Sequence, residues 1–279
     1  MENEGRRLEI DIPTLVAISI IAWALVIVMH EIVGHAGTAA LMGIPVRAVS
    51  TTTAYLAWDH IQSVGQYRII HINGTAANLV TGAIALLVLQ FLKPKSKALR
   101  YFLWLFTTMS FVIVIMYLVS ATAVGACDWM EVLTDLEPRS LYTAVVVAAG
   151  VLFAIPGYAL PLRAWMPDLK RDRSVLLKVT AIPVLTLIIT QTLSMVGSPF
   201  GFQSPESSHL IGMVFIYIHF VVWAVLVNVI SVPRSSEAIE SIELRRSSMW
   251  LVAGIIVLLI FLLVLGPGLG PLNEDPRLG

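Results

Sequence analysis

Seven long apolar stretches, separated by short polar segments, dominate the chain. A helix needs about 20 apolar residues to cross the hydrocarbon core of a bilayer. The stretches are of that length and run approximately over residues 13–36, 69–92, 99–122, 141–163, 175–196, 209–232 and 249–267. This pattern predicts an all-α, multi-pass membrane protein with about seven transmembrane helices.

The composition supports the same fold class. Of the 279 residues, 57% are hydrophobic and 13% are charged, whereas about 25% of the residues in a soluble domain are charged. The formal net charge is zero, so charge indicates no nucleic-acid partner, and membrane lipids are the expected surroundings. The single cysteine, Cys127, excludes an intrachain disulfide.

The basic residues predict an orientation, because Lys and Arg concentrate in cytoplasmic segments. With seven spans, 13 of the 18 basic residues lie on the side of the N-terminus. The other side holds four, which are Arg47, Arg68, Arg139 and Arg277. We therefore expect a cytoplasmic N-terminus and an extracytoplasmic C-terminus. The first apolar run is longer than a signal peptide, and we interpret it as a retained first helix.

Polar residues cluster toward the outer ends of the first three predicted spans. Ionisable side chains within membrane helices are costly and are usually functional. Because three consecutive spans would bring these residues to one depth, we expect a functional site there. In chain order the residues are His30, Glu31, His35, His71, Asn73, Thr75, Asn78, Asp128 and Glu131.

Some polar residues also have a simpler interpretation. His71 is either solvated at the start of the second span or part of the site, and we interpret Glu131 as a solvated carboxylate. His219, in the middle of the sixth span, is expected to be a packed, hydrogen-bonded histidine. Cys127 could bind a metal, but a buried thiol is the commoner role of a free cysteine.

The two histidines of the first span are candidate ligands of one metal ion, but their spacing poses a geometric problem. Each residue of an α-helix turns by about 100°, so His30 and His35, which are five apart, would point about 140° apart. A π-bulge adds one residue to a turn and brings both onto one face, and Gly34 eases such a distortion. In a regular helix, Glu31 and His35 would share a face, and Glu31 would be the ligand. We favour the bulge, because it leaves a carboxylate available as a base.

A segment rich in β-branched residues follows the first span. Residues 47–56, VRAVSTTTAY, have the composition of a strand. They could form a short exposed strand that pairs with an unwound substrate, or an ordinary extended loop.

The segment HEIVGHAGTAALMGIPVRAVS, residues 30–50, resembles the site-2 proteases, which are intramembrane zinc metalloproteases. Their signature is His-Glu-x-x-His on a helix, one residue shorter between the histidines than here. NGTAANLVTG, residues 73–82, is similar to the Gly-x-x-x-Asn type of segment that opens a later span of the family. The family's third ligand, an Asp usually followed by Gly, corresponds to Asp128, which Trp129 follows. The resemblance covers approximately residues 15–135.

The resemblance implies a zinc ion held by His30, His35 and Asp128. Glu31 would act as general base and then general acid, and Asn78 would donate a hydrogen bond to the oxyanion. The expected reaction is hydrolysis of peptide bonds in a membrane protein or peptide substrate. Two other functions stay open, a membrane metal hydrolase acting on lipids or amides and a non-catalytic scaffold or transporter. The presence of a glutamate beside the histidines favours catalysis.

The sequence divides into three regions. Residues 1–135 form the expected metal-binding core with three spans. Residues 136–267 add a four-helix membrane region whose sequence matches no family pattern that we recognise. Residues 268–279, rich in Pro, Gly and charged residues, are expected to form a flexible tail.

Overall fold

The computed structural model describes residues 10–169, 173–196, 207–230 and 244–270. Within these residues, seven helices are long and apolar enough to cross a membrane, and each overlaps one predicted stretch. We number them as spans 1 to 7. They are Ile12–Leu41, Val64–Leu92, Lys97–Val124, Arg139–Ala164, Ser174–Val196, Leu210–Val229 and Ser248–Leu265. The prediction of a helical, seven-span membrane protein is therefore confirmed.

Span 1 changes its helical geometry along its length. It begins as α1, Ile12–Ile27, continues as a π-helix over Val28–Ala36 and ends as α2, Gly37–Leu41. Asp11 caps α1, because its carboxylate accepts a hydrogen bond of 3.0 Å from the backbone N–H of Thr14, a group that the helix leaves unpaired. The π-helix confirms the predicted irregularity, and the regular-helix alternative is wrong.

A short β-hairpin follows span 1. Strand β1, Val46–Val49, pairs antiparallel with strand β2, Ala54–Leu56. Between them the backbone N–H of Ser50 donates to the carbonyl of Thr53 at 2.9 Å. The prediction of β structure over residues 47–56 is confirmed, but the single continuous strand is wrong, because the chain folds back between Ser50 and Thr53.

The hairpin also holds the end of the described chain. Val49 and Leu269 exchange two backbone hydrogen bonds, of 2.9 and 2.8 Å. The segment expected to be a flexible tail, residues 268–279, is therefore bound to the hairpin at its beginning. Residues 271–279 lie outside the described part of the chain.

Spans 2 and 3 each combine an α-helix with a π-helical turn. Span 2 consists of α3 and a π-helix, and span 3 consists of α4, a π-helix and α5. A short helix, α6, follows span 3 and carries Asp128. In chain order the elements are a 3-10 turn at Trp58–His60, α3 Val64–Leu87, π Val88–Leu92, α4 Lys97–Met116, π Tyr117–Ala121, α5 Thr122–Val124 and α6 Cys127–Val132.

The break between α5 and α6 depends on left-handed backbone conformations. Gly125 has a φ of 65°, which a glycine adopts without steric cost. Cys127, just before Asp128, has a φ of 57°, which is uncommon for a residue with a side chain. These two residues end the helix of span 3 and redirect the chain into α6.

The last four spans are formed mainly by regular α-helices. In chain order they are α7 Arg139–Leu169, α8 Arg173–Val196, α9 Ser207–Ile230 and α10 Ser248–Ile260, the last followed by a π-helix at Phe261–Leu265. Helix α1 packs against α8 and α10, and α4 packs against α7 and α9. A single cluster of buried apolar side chains joins the spans on both sides of residue 135.

A chain of polar contacts ties the hairpin to this core. The indole N–H of Trp23 in span 1 donates to Gln191 Oε1 of span 5 at 2.9 Å. The amide nitrogen of Gln191 in turn donates to the carbonyl of Thr51 at 3.2 Å. A polar group buried in an apolar region is costly unless it is hydrogen-bonded, so these contacts fix the hairpin turn against spans 1 and 5.

Candidate metal centre

Three side chains from distant parts of the sequence meet between span 1 and α6. The Nε2 atoms of His30 and His35 lie 3.0 and 3.2 Å from the same oxygen of Asp128, Oδ2. One potential ligand atom of each residue lies within 4.8 Å of the other two. Imidazole and carboxylate groups bind several divalent metals. The three residues predicted as ligands are thus brought together, and they could hold a metal ion.

The separations between the ligand atoms can be compared with those around a bound zinc ion. Zinc binds histidine nitrogen at about 2.0–2.1 Å and carboxylate oxygen at about 2.0–2.2 Å, so two of its ligand atoms lie at most about 4.3 Å apart. The two nitrogen–oxygen separations of 3.0 and 3.2 Å are within that limit, whereas the group of three ligand atoms as a whole extends over 4.8 Å.

The π-helix of span 1 produces this convergence. Its i to i+5 hydrogen bonds bring residues five apart onto one face, whereas in an α-helix they would diverge by about 140°. The ring centroids of His30 and His35 are consequently 4.8 Å apart. The longer spacing between the histidines is therefore matched by the local geometry of the helix.

Two glycines allow spans 1 and 2 to approach each other at the centre. A Cβ atom on Gly34 would lie 2.6 Å from the Cα of Gly74. A Cβ atom on Gly74 would overlap the His35 ring and lie 2.8 Å from His30 Cε1. Gly74 therefore lies directly against both imidazoles, where a side chain would not fit. Our sequence reasoning did not identify this role, although a glycine among polar residues at the outer part of a span is a signal for close packing.

Neighbouring groups orient both imidazoles. The Nδ1–H of His35 donates to the carbonyl of Ile70 in α3 at 2.8 Å. The Nδ1 of His30 lies 3.2 Å from the side-chain amide of Asn78, and its ring stacks on Tyr117 with centroids 4.8 Å apart. The Nε2 atoms of both rings thus face Asp128, and outer hydrogen bonds of this kind orient metal-binding histidines.

Asn78 is buried behind His30. It contacts the ring nitrogen opposite to the one that faces Asp128. This contact indicates that Asn78 positions His30. Its expected role as donor to a substrate oxyanion stays a prediction.

Hydrogen bonds to α3 hold α6, and with it Asp128, in place. The hydroxyl of Tyr67 donates to a carboxylate oxygen of Glu131 at 2.6 Å. The indole N–H of Trp129 donates to the hydroxyl of Thr75 at 3.1 Å. The interpretation of Glu131 as a solvated carboxylate is therefore wrong, because the side chain is partly buried and anchors α6 to span 2.

The charges of the centre set the protonation of the two residues that begin α6. Burial opposes ionisation of Asp128, but the imidazoles of His35 and His30 outweigh it and hold the pKa of this carboxyl well below its usual range. Burial raises the pKa of the Cys127 thiol to about 12, and the negative charges of Asp128 and Glu31 add to this effect. Cys127 is partly buried and lies outside the three-residue group.

The centre opens into a cavity of about 120 Å³. The buried carboxylate of Glu31 lines this cavity together with His30, His35 and Asp128. The hairpin contributes Thr51–Thr53 to the wall. Nearer the middle of the spans the wall is apolar, with residues from spans 1, 3 and 6, which are Val26, Ile27, Ile113, Met213 and Ile216. The cavity therefore joins a polar centre to an apolar region inside the bundle.

The remaining histidines of interest have different surroundings. His71 lines the cavity and places its Nδ1 3.6 Å from Asp128 Oδ1, outside the three-residue group. His60 is exposed on the 3-10 turn. The Nδ1–H of His219 donates to the carbonyl of Phe215 at 2.8 Å, so the prediction of a packed, hydrogen-bonded histidine is confirmed.

Comparison with models of known protein families, with curated proteins and with solved structures found no match to this chain. Its function is therefore inferred from the geometry of the centre, together with the resemblance over residues 30–50.

Proposed function

We propose that this protein is an intramembrane zinc metallopeptidase in which His30, His35 and Asp128 bind the metal. The observation that carries the proposal is the convergence of two imidazoles and one carboxylate on a cavity that a second carboxylate, Glu31, also lines. Structural zinc sites have four protein ligands, whereas catalytic sites have three and keep a position open. A centre with three ligands and an adjoining cavity fits the catalytic type.

Zinc bound here would lower the pKa of a coordinated water toward 7 and polarise the carbonyl of the scissile bond. Glu31 would accept a proton from the attacking water and pass it to the leaving amine, as general base and then general acid. The π-helix supports this division of roles, because both ligands from span 1 are then histidines. The carboxylate between them is left for proton transfer.

Asn78 would support His30 as a ligand. With Nε2 of His30 binding the metal, Nδ1 carries the proton and donates it in a hydrogen bond. Rotating the Asn78 amide by 180° exchanges its nitrogen and oxygen and offers Oδ1 to this N–H. Before the rotation, Oδ1 of Asn78 has no hydrogen-bond partner among the described residues. Moving Oδ1 toward His30 therefore breaks no existing hydrogen bond of this oxygen.

The size of the cavity favours a peptide over a long acyl chain as substrate. Its volume of about 120 Å³ is close to the roughly 150 Å³ of a cavity that holds benzene. Pockets that enclose drug-sized molecules measure about 300–1,000 Å³. The cavity thus has room for one apolar side chain. Ala54 and Leu56 of β2 also line it, so an extended substrate segment could pair with the hairpin.

Replacement of Glu31 by glutamine tests the proposed function. We expect Glu31→Gln to retain one zinc ion per chain while cleavage of a transmembrane-helix peptide falls by about 10²–10⁴-fold, the range of general acid–base catalysis. Metal is measured by mass spectrometry on protein purified in detergent. Glu131→Gln is the matched control, because that glutamine can still accept the hydrogen bond from Tyr67, and it should keep both metal and cleavage.

Four results would contradict the proposal. Zinc-free wild-type protein would remove the metal centre. Loss of zinc in Glu31→Gln would make Glu31 a ligand, and unchanged cleavage would exclude it as the base. Hydrolysis of lipids, with peptides left intact, would favour the alternative membrane hydrolase.

We infer that the N-terminus faces the cytoplasm, since 13 of the 18 basic residues lie on its side of the seven spans. The metal centre then lies toward the extracytoplasmic surface. Reporter fusions at residues 95 and 240 should report the cytoplasm, and a fusion at residue 203 should report the opposite side. Fusions at 95 and 203 that report the same side would contradict this orientation.

A further inference from the structure

A partly buried imidazole beside the metal centre has no part in the proposed function so far. His71 of α3 lines the same cavity as Glu31 and Asp128. Its two ring nitrogens are buried, and neither has a hydrogen-bond partner among the described residues. An unpaired polar group in a buried position is costly, which indicates that a partner binds to it when the site is in use.

His71 lies next to the ligands but is not one of them. Its Nδ1 is 3.6 Å from Asp128 Oδ1, which is too long for a hydrogen bond. The other oxygen of the carboxylate, Oδ2, is the one near His30 and His35. His71 therefore lies nearer one oxygen of the Asp128 carboxylate, and His30 and His35 lie nearer the other.

Aromatic side chains hold the His71 ring without using its nitrogens. Trp58 stacks parallel to it, with an angle of 1° between the planes and 5.7 Å between the centroids. Tyr67 contacts the ring at 4.6 Å and His35 at 5.9 Å, centroid to centroid. A ring held in this way is preorganised, so little side-chain freedom is lost when a ligand binds.

The other polar groups around the centre either cannot donate a hydrogen bond or have ring nitrogens that face other residues. Glu31 and Asp128, as carboxylates, only accept hydrogen bonds. The Nδ1 atoms of His30 and His35 face Asn78 and Ile70. An imidazole has an N–H to donate whether it is neutral or protonated, so His71 can serve as a donor in either form.

Peptide hydrolysis needs such a donor. Negative charge develops on the carbonyl oxygen as water attacks, and a fixed N–H aimed at that oxygen in a cavity with little water stabilises the transition state. We propose that His71 is a catalytic residue whose imidazole N–H binds this oxyanion beside the metal. The proposal rests on the metallopeptidase function and names a donor that the resemblance did not include.

Two inhibitors of different shape test the proposal. Acetohydroxamate chelates zinc and carries no peptide-like tetrahedral group, whereas a phosphinic analogue of an apolar dipeptide mimics the tetrahedral transition state. In His71→Ala we expect unchanged zinc content and unchanged acetohydroxamate affinity. The phosphinic analogue should bind about 10²–10³-fold more weakly, the effect of removing one oxyanion donor.

Three further variants separate a donor from a structural residue. His71→Gln keeps an N–H group and should recover much of the affinity for the phosphinic analogue. His60→Ala removes an exposed histidine of the nearby 3-10 turn and should affect neither inhibitor. Tyr117→Phe tests the hydroxyl of the ring that stacks on His30, the competing donor at the cavity.

Each remaining outcome is decisive. Loss of zinc in both His71 variants would make His71 a ligand, and an equal effect on the two inhibitors, or none, would overturn the proposal. Selective weakening in Tyr117→Phe, with His71→Ala unaffected, would assign the donor to Tyr117. Wild-type protein that binds neither zinc nor acetohydroxamate would overturn the metallopeptidase function itself, which distinguishes the two failures.

Discussion

Two π-helical segments of apolar spans differ in what surrounds them. Val28–Ala36 of span 1 carries His30, Glu31 and His35 and packs against α3. Phe261–Leu265 of span 7 has the sequence FLLVL and packs against α8 with only apolar side chains. The π geometry alone is therefore no sign of a site. It becomes useful where residues five apart are potential ligands and a neighbouring helix supplies a third.

Among the described residues, the candidate metal ligands also distinguish the region of the first three spans and α6 from the last four spans. Burial does not follow this division: the apolar window of span 3 is 72% buried inside the bundle and that of span 7 only 17%, but those of spans 2 and 5 are 33% and 56% buried. The candidate metal ligands and Glu31 come from span 1 and α6, and span 2 adds the partly buried His71. Spans 5 and 6 bury neutral groups such as Gln191 against the same core. We therefore expect metal binding to depend on the first region and the second region to support it.

The largest expected effect is loss of the metal from the first region. His35→Ala and Asp128→Ala should each weaken zinc binding by more than about 100-fold. Losing a residue that only hydrogen-bonds to a metal ligand already lowers metal affinity about 10–100-fold. His219→Ala removes a histidine of the second region and should leave zinc bound. Mass spectrometry of the three purified variants measures the difference. Equal zinc content in all three would remove the functional contrast between the regions.

Gly74→Ala should act on the metal without removing a ligand. Its methyl group would overlap the His35 ring and come within 2.8 Å of His30, so both imidazoles must move. We expect about 10–100-fold weaker zinc binding, as for other losses of ligand orientation. Gly65→Ala, on the same helix, would meet only Ser63 Oγ at 3.7 Å and should bind zinc normally. Normal binding by Gly74→Ala would show that the centre tolerates this displacement.

A glycine of the last span should affect stability and not the metal. A methyl group on Gly254 would lie 2.6 Å from the Cβ and 2.8 Å from the Cα of Ala17, which forces spans 1 and 7 apart. Overpacking of this kind costs about 1–3 kcal/mol, so Gly254→Ala should lower the melting temperature in detergent.

The control for this substitution is Gly157→Ala. The new methyl group would approach the flexible end of Ile115 at 3.1 Å, and the melting temperature should change less. Zinc content per folded chain should stay the same in both variants. Loss of zinc in Gly254→Ala would show that the supporting region controls the centre.

The smallest expected effect concerns the cap of span 1. Asp11→Ala should destabilise the protein by about 1 kcal/mol, the usual cost of losing an N-cap side chain. Hydrogen bonds from Thr14 lower the pKa of the Asp11 carboxyl below its ordinary value of 3.8. Its stabilising effect is therefore complete above that pH and is lost as the pH falls through the lowered pKa.

Melting temperatures at neutral and acidic pH measure this effect. Asp11→Asn keeps an accepting oxygen for the cap and should remove the acid-dependent part only. An Asp11→Ala variant as stable as the wild type at neutral pH would show that packing of α1 in the bundle makes the cap unnecessary.

The local part of the structure followed from the sequence. Seven spans could be predicted because the length and apolarity of each helix are properties of a continuous stretch. The π-helix could be predicted because two histidines five residues apart can bind one metal ion only if the helix has an extra residue in that turn. His30, His35 and Asp128 could be proposed as one group, since consecutive spans alternate in direction and return their polar ends to one depth.

Contacts between distant segments were decided only by the tertiary structure. Glu131 looked like a solvated carboxylate because nothing in its neighbourhood along the chain reveals Tyr67. Gly74 and His71 lie 39 and 36 residues beyond His35, and their roles depend on how closely two helices approach and how each is rotated about its axis. Hydrophobicity drives a helix into the membrane but is nearly indifferent to that rotation. Packing of small residues and hydrogen bonds between helices determines it instead.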